Sequence, residues 1–132
     1  MNVVLDASAL LPAVLARNLG PLDGHRLLAP SLLLSEVSSA LSEMARRGEI
    51  PRDRGLDCLR YLHSVALELV HGLEVAERAW AIAGQLGWAK TYDAEYVALA
   101  VITGAPIVTL DERLRRGAGH VVRMMAPTDL AR

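Results

Sequence analysis

Residues 3–10 read Val-Val-Leu-Asp-Ala-Ser-Ala-Leu, an apolar run that stops at an acid and continues without a break into a helical pattern. Residues 3–5 predict a short buried strand, and residues 8–16 predict a helix that tolerates Pro12 near its first turn. A strand that leads directly into a helix is typical of α/β folds. The chain is therefore predicted to begin with a strand-helix unit whose junction carries Asp6.

The rest of the chain repeats this alternation of short apolar runs and longer helical patterns. Further strands are predicted at residues 27–29, 67–70, 107–110 and 120–124. Helices are predicted at residues 31–47, 51–65, 74–86 and 91–104, with a short turn at 112–115 and with Ser31 and Thr91 as N-caps. Because helical crossovers join parallel strands, the pattern predicts a mainly parallel sheet with helices on both faces.

Length, charge and composition limit the possible classes of protein. The 132 residues are enough for one core but too few for two, so a single domain spanning residues 1–132 is expected. A net charge of −1 excludes a broadly basic surface, so any nucleic-acid contact must be local. Cys58 is the only cysteine, and Asp6 interrupts the N-terminal apolar stretch where a signal peptide would carry no acid. We therefore expect a cytoplasmic protein without a membrane span.

Four carboxylates occupy positions that a parallel sheet brings to one edge. Asp6 and Asp111 each follow a predicted strand, and Glu36 and Asp93 lie near the starts of predicted helices. Two such charges about 4 Å apart repel by about 4 kcal/mol in a partly solvated site, so the group needs compensation. Hard divalent cations with oxygen ligands supply it, which favours Mg²⁺ or Mn²⁺ over zinc.

Each acid also has an explanation that involves no catalysis. Glu43 lies on nearly the same helix face as Glu36, and both can be solvent-facing. Asp93 and Glu95 share the first turn of their helix, where the macrodipole favours any negative charge. Periodicity alone leaves both choices open.

Two hydroxyl side chains accompany the acids. Ser8 and Thr109 each lie two residues from an acid, where they can orient a carboxylate or serve only in local capping. The histidines lack the spacing of metal ligands; they are His25, His63, His71 and His120.

The acids stand in four stretches that together are recognisable. They are residues 4–10 (VLDASAL), 29–37 (APSLLLSEV), 92–100 (YDAEYVALA) and 108–114 (VTLDERL). In this order and at these intervals they resemble the PIN-domain family, specifically the VapC-type toxins of toxin-antitoxin pairs. The resemblance extends from residue 2 to about residue 124.

The resemblance implies a three-layer α/β/α sandwich and an acidic quartet, Asp6, Glu36, Asp93 and Asp111, that binds Mg²⁺ or Mn²⁺. It selects Glu36 over Glu43 and Asp93 over Glu95. Similar proteins are single-strand-specific endoribonucleases, usually homodimers, that a cognate antitoxin holds inactive. A metal-dependent endoribonuclease is thus expected, with RNA as substrate and an antitoxin protein as partner.

RNA must approach an acidic site, so flanking cations are expected to contact its phosphates. The candidate arginines are Arg46, Arg47, Arg52, Arg113, Arg115 and Arg116. Two alternative functions stay open at this point. In the first, Asp6 is the nucleophile of a phosphoacceptor or phosphatase-like domain. In the second, the chain is a non-catalytic module that binds RNA or protein.

Overall fold

The computed structural model describes residues 1–131. Its strands are β1 (Asn2–Leu5), β2 (Arg26–Pro30), β3 (Leu67–Val70), β4 (Ile107–Val108) and β5 (Met124–Met125). Its α-helices are α1 (Ala7–Ala16), α2 (Leu32–Arg46), α3 (Arg52–Ser64), α4 (Leu73–Leu86), α5 (Tyr92–Thr103) and α6 (Glu112–Ala118). Short 3-10 helices cover Gly20–Leu22 and Pro127–Ala131.

All five strands pair in parallel in the order β3-β2-β1-β4-β5. The central strand β1 pairs with β2 through Val4 and Leu28, and with β4 through Val4 and Ile107. The chain moves outward from β1 to β3 and then returns to β4 on the other side. The strand order therefore reverses between β1 and β4, and a crevice opens beyond their carboxyl ends.

Helices cover both faces of this sheet. Helices α1, α2 and α3 pack on one another, while α4 packs on α5, which also contacts β1, β2 and β4. Crossovers of one handedness place helices on opposite faces when the direction of chain travel reverses. The predicted α/β/α sandwich with a parallel sheet is confirmed.

The core explains why the central elements read as continuous apolar runs. Val3, Val4 and Leu5 of β1 are all fully buried, as expected for a central parallel strand with helices on both sides. In α5, residues 96–100 are buried as well. Because β1 and α5 are fixed in the core, the acids that flank them have rigid supports.

Three sequence predictions near the C-terminus are wrong. Residues 112–115 are not a turn but the start of α6, because the Asp111 carboxylate accepts hydrogen bonds from the backbone of Arg113 and Leu114 and caps a helix. Strand β4 ends at Val108 instead of residue 110, and β5 covers two residues instead of 120–124. Residues 121 and 122 instead donate their backbone N–H groups to Ala118 at the end of α6.

The two predicted N-caps also differ from expectation. Ser31 and Thr91 precede α2 and α5 as predicted, but neither side chain bonds to the first turn of its helix. Ser31 instead pairs with His71 at 3.3 Å, across the ends of β2 and β3. None of the helices in the described part of the chain has the length and apolar character needed to span a bilayer.

Candidate active site

The four predicted acids meet at the carboxyl edge of the sheet. Asp6 follows β1 and caps α1, and Asp111 follows β4 and caps α6. Glu36 lies one turn into α2, and Asp93 is in the first turn of α5. Burial is the main cause that raises the pKa of Asp6, Glu36 and Asp93, and neighbouring charges add to it: that of Asp111 for Asp6 and Asp93, and those of Asp93 and Asp6 for Glu36. The structure therefore brings all four carboxylates into one electrostatic neighbourhood.

Asp6 accepts more hydrogen bonds than any other member of this group. Its side chain is 6% exposed, and its Oδ1 accepts hydrogen bonds from the Ser8 hydroxyl at 2.8 Å and the Ala9 backbone at 3.3 Å. Its Oδ2 accepts a hydrogen bond from the Thr109 hydroxyl at 2.9 Å. A carboxylate with both oxygens bonded has little freedom to rotate, so Asp6 is held in one orientation.

Ser8 and Thr109 also connect the ends of β1 and β4. The two hydroxyls lie 3.2 Å apart, and the Ser8 hydroxyl accepts from the Leu110 backbone at 2.9 Å. The Thr109 hydroxyl accepts from the Asp111 backbone at 2.9 Å and is fully buried. One hydroxyl pair thus fixes Asp6 directly and positions the loop that carries Asp111.

The charges of this site are costly to the folded protein. Burial raises the pKa of Asp6 despite the hydrogen bonds from Ser8 and Thr109, which lower it. Burial likewise raises the pKa of Glu36, and a hydrogen bond from Tyr96 lowers it in part. Asp93 remains accessible, yet nearby protein atoms displace part of its hydration and raise its pKa. Repulsion between the carboxylates therefore destabilises the metal-free folded protein, and a bound cation would reduce this repulsion.

Arg113 offsets the negative charge of the four acids only on the side of Asp111. The Arg113 side chain is 83% exposed, and its Nε lies 3.9 Å from Asp111 Oδ1. Within residues 1–131, no Lys, Arg or His forms a salt bridge with Asp6, Glu36 or Asp93. Asp6 and Glu36 thus have no salt-bridge partner in the described part of the chain, and Asp93 is offset only by the more distant charge of Arg113, which lowers its pKa in part.

The donor set fits a hard divalent cation. It consists of carboxylate and hydroxyl oxygens, which are the ligands that Mg²⁺ and Mn²⁺ prefer. In the described residues, however, no three His, Cys, Asp or Glu side chains are arranged so that they could hold an ion as they stand. A bound cation would thus require the carboxylates to move closer together.

The rival acids lie in different surroundings. The Glu43 side chain is 68% exposed, and Arg47 approaches it at 3.9 Å. Glu95 lies close enough for its charge to raise the pKa of Glu36. Glu36 differs from Glu43 because its pKa is raised by burial and by the nearby charges of Asp93 and Asp6. Glu36 therefore lies within the acidic cluster.

Sequence reasoning missed Tyr96. Its hydroxyl donates a hydrogen bond to Glu36 Oε1, although the two residues are sixty positions apart. The available signal was the single hydroxyl in an apolar helix segment, one turn after Asp93. That signal identifies a buried polar group but not its partner.

The candidate arginines fall into two sets. Arg113 lies beside Asp111, and Arg115 and Arg116 follow in the same short helix. Arg46 ends α2 ten residues after Glu36, which places it about 15 Å farther along the helix axis. The structure thus places Arg113 beside an acid of the site, whereas Arg115 approaches Glu112 at 3.9 Å and Arg46 lies at the far end of α2.

Neutralising Asp93 is expected to stabilise the metal-free protein. Because the folded-state pKa of Asp93 is raised above 3.8, stability is lost as the pH rises through the interval above that value. In EDTA at neutral pH, Asp93→Asn should raise the melting temperature by about 1–3 °C, a small value because solvent screens an accessible group. The gain should shrink as the pH falls toward 4. Calorimetric melts check this, and an equal gain from the exposed Asp23→Asn would contradict it.

Comparisons with known proteins find a domain family, several relatives and a solved structure that are similar to this chain. The sequence profile described as the PIN domain matches residues 3–119. VapC ribonuclease Mb0985 of Mycobacterium bovis is 36% identical over 116 residues, which cover 85% of this chain and 87% of that protein. Ribonuclease VapC1 of Mycobacterium tuberculosis is 31% identical over 125 residues, which cover 88% and 90%. The crystal structure of PAE2754 from Pyrobaculum aerophilum superposes with a TM-score of 0.77 at 25% identity and covers 99% of this chain and 96% of that one.

Proposed function

The chain belongs to the PIN-domain family, and from this premise we propose that it is a VapC-type toxin, an endoribonuclease that hydrolyses RNA phosphodiester bonds. We further propose that it uses Mg²⁺ or Mn²⁺, held by Asp6, Glu36, Asp93 and Asp111. The similarity to the VapC ribonucleases favours this activity over a phosphoacceptor domain or a non-catalytic binding module. The test is cleavage of RNA by the purified chain with added Mg²⁺, with the product ends mapped by sequencing.

One observation supports the proposal most strongly. Asp6 is a buried carboxylate at the end of the central strand, its orientation is fixed by Ser8 and Thr109, and it forms no salt bridge within the described residues. The hydrogen bonds to Asp6 offset part of the cost of burying its charge, but burial still raises its pKa, so the charged form is held at a net cost. An acid kept there at this cost is typical of a functional site.

The residues of the site have distinct parts in the proposed reaction. Asp6 and Asp93 would be the main ligands of the cation, with Asp111 and Glu36 completing its surroundings. A cation held by these residues would supply activation of water and neutralisation of charge on the scissile phosphate. Ser8 and Thr109 keep Asp6 in place by hydrogen bonds, so that no reorganisation of this carboxylate is needed when substrate arrives.

Arg113 is the candidate for the first contact with RNA, because it is exposed and lies beside the acids. If it binds a phosphate, Arg113→Gln should weaken RNA binding several-fold and reduce the slope of log affinity against log salt by about 0.7. Binding isotherms with a single-stranded RNA at several salt concentrations measure both quantities. The control is Arg60→Gln, which removes an exposed arginine that pairs with Asp57. Equal slopes for wild type and Arg113→Gln would exclude this contact.

The same premise supports proposals about partners and assembly. We propose a cognate antitoxin that inhibits the nuclease, a cytoplasmic location, and one domain spanning residues 1–132. A small open reading frame beside this gene, whose product suppresses cleavage, would support the antitoxin.

We also propose that the protein is a homodimer. The exposed apolar residues Leu73 and Trp80, which lie two turns apart on α4, support self-association.

A further inference from the structure

A tyrosine lies behind the acidic quartet and contacts one of its members. Tyr96 is one turn after Asp93 in α5, and its side chain is only 2% exposed. Its hydroxyl donates a hydrogen bond to Oε1 of Glu36, which comes from α2. This bond joins the two helices that carry Glu36 and Asp93.

Glu36 needs such a bond to stay where it is. Three like charges, those of Asp6, Asp93 and Glu95, act on its carboxylate and favour its movement away from the cluster. Its side chain is only half-buried and long enough to turn toward solvent. No salt bridge holds it within residues 1–131, whereas the buried phenol supplies a donor at a fixed position.

We propose that Tyr96 is a positioning residue that holds the Glu36 carboxylate within the acidic cluster, so that Glu36 is available to the ion when it binds. The ring of Tyr96 is buried in the main hydrophobic core, which restricts its movement. The inference rests on the proposed function, since it assumes that Glu36 contributes to cation binding.

Removing only the hydroxyl should weaken cation binding without changing the fold. Tyr96→Phe keeps the buried ring, while Glu36 loses the donor that opposes repulsion from its neighbours. Loss of a group that orients a ligand typically costs about 10–100-fold in metal affinity. We therefore expect the Mn²⁺ dissociation constant to rise by about this factor, and RNA cleavage to recover when Mn²⁺ is raised to saturation.

The measurement is a calorimetric titration of Mn²⁺ into the full chain. The matched control is Tyr92→Phe, because Tyr92 lies one turn earlier in the same helix and is 59% exposed. The control should bind Mn²⁺ like the wild type. Thermal melts of each variant establish that it is folded before the titration.

A double-mutant cycle separates positioning from a general packing effect. If Tyr96 acts through Glu36, the change Tyr96→Phe should have less than about a twofold effect on Mn²⁺ affinity once Glu36→Ala is present. An undiminished effect in that background, or no effect of Tyr96→Phe in the wild type, overturns the inference while leaving the proposed nuclease intact. If Glu36→Ala alone leaves Mn²⁺ affinity unchanged, the assignment of Glu36 in the proposed function fails as well.

Discussion

Asp6→Asn is expected to abolish RNA cleavage while the protein remains folded. The substitution keeps the size of the side chain and an oxygen that can accept from Ser8, but it removes the buried charge that faces Asp111 and Glu36. A bound cation supplies several kcal/mol of transition-state stabilisation, and each 1.4 kcal/mol is tenfold in rate. Loss of a main ligand should thus reduce kcat/KM by at least about 1,000-fold, measured with a labelled single-stranded RNA.

Two further measurements make the result interpretable. Asp23→Asn, at an exposed acid outside the site, should cleave RNA at the wild-type rate. The melting temperature of Asp6→Asn in EDTA should be no lower than that of the wild type, since the pKa of Asp6 is raised by burial and the charge is costly. Cleavage by Asp6→Asn at the wild-type rate would exclude this carboxylate from the reaction.

Removal of divalent cations is expected to have an equally large effect. With EDTA, cleavage by the wild-type chain should fall below detection, because no ion is then left to activate water, and the charges of Asp93 and Asp6 that act on Glu36 have no salt bridge to offset them within the described residues. Excess Mg²⁺ or Mn²⁺ should restore activity completely. The control is EDTA already saturated with Mg²⁺, which should not inhibit. Undiminished cleavage in EDTA would contradict a metal-dependent reaction.

The sequence predicts those parts of the site that depend on local pattern. Residues 3–5 form a strand because they are uniformly apolar, and a carboxylate directly after the central parallel strand must lie at the ligand-binding edge of the sheet. Asp111 follows by the same reasoning. The choice of Glu36 over Glu43 came from the family resemblance, since both acids satisfy the same helical periodicity.

Other features depend on how distant elements pack, and no local pattern contains them. The bond from Tyr96 to Glu36 requires α5 and α2 to meet across sixty residues of sequence. Helix α6 was missed because residues 112–118 are mostly charged and offer only Leu114 and Ala118 as an apolar pair, too short a pattern to predict a helix without the cap that Asp111 supplies. The predicted strand at 120–124 was too long, because the backbone N–H groups of residues 121 and 122 donate to the carbonyl of Ala118, the last residue of α6, and so are not available to the sheet.

The central claim is that carboxylates from distant parts of the chain bind one hard cation together. The most direct test is calorimetric titration of Mn²⁺ into the wild type, Asp6→Asn, Asp111→Asn and Glu43→Gln. We predict that the wild type binds Mn²⁺, that Glu43→Gln binds it equally well, and that each aspartate variant binds at least about tenfold more weakly. Wild-type affinity in both aspartate variants, or no binding by the wild type, would contradict the claim.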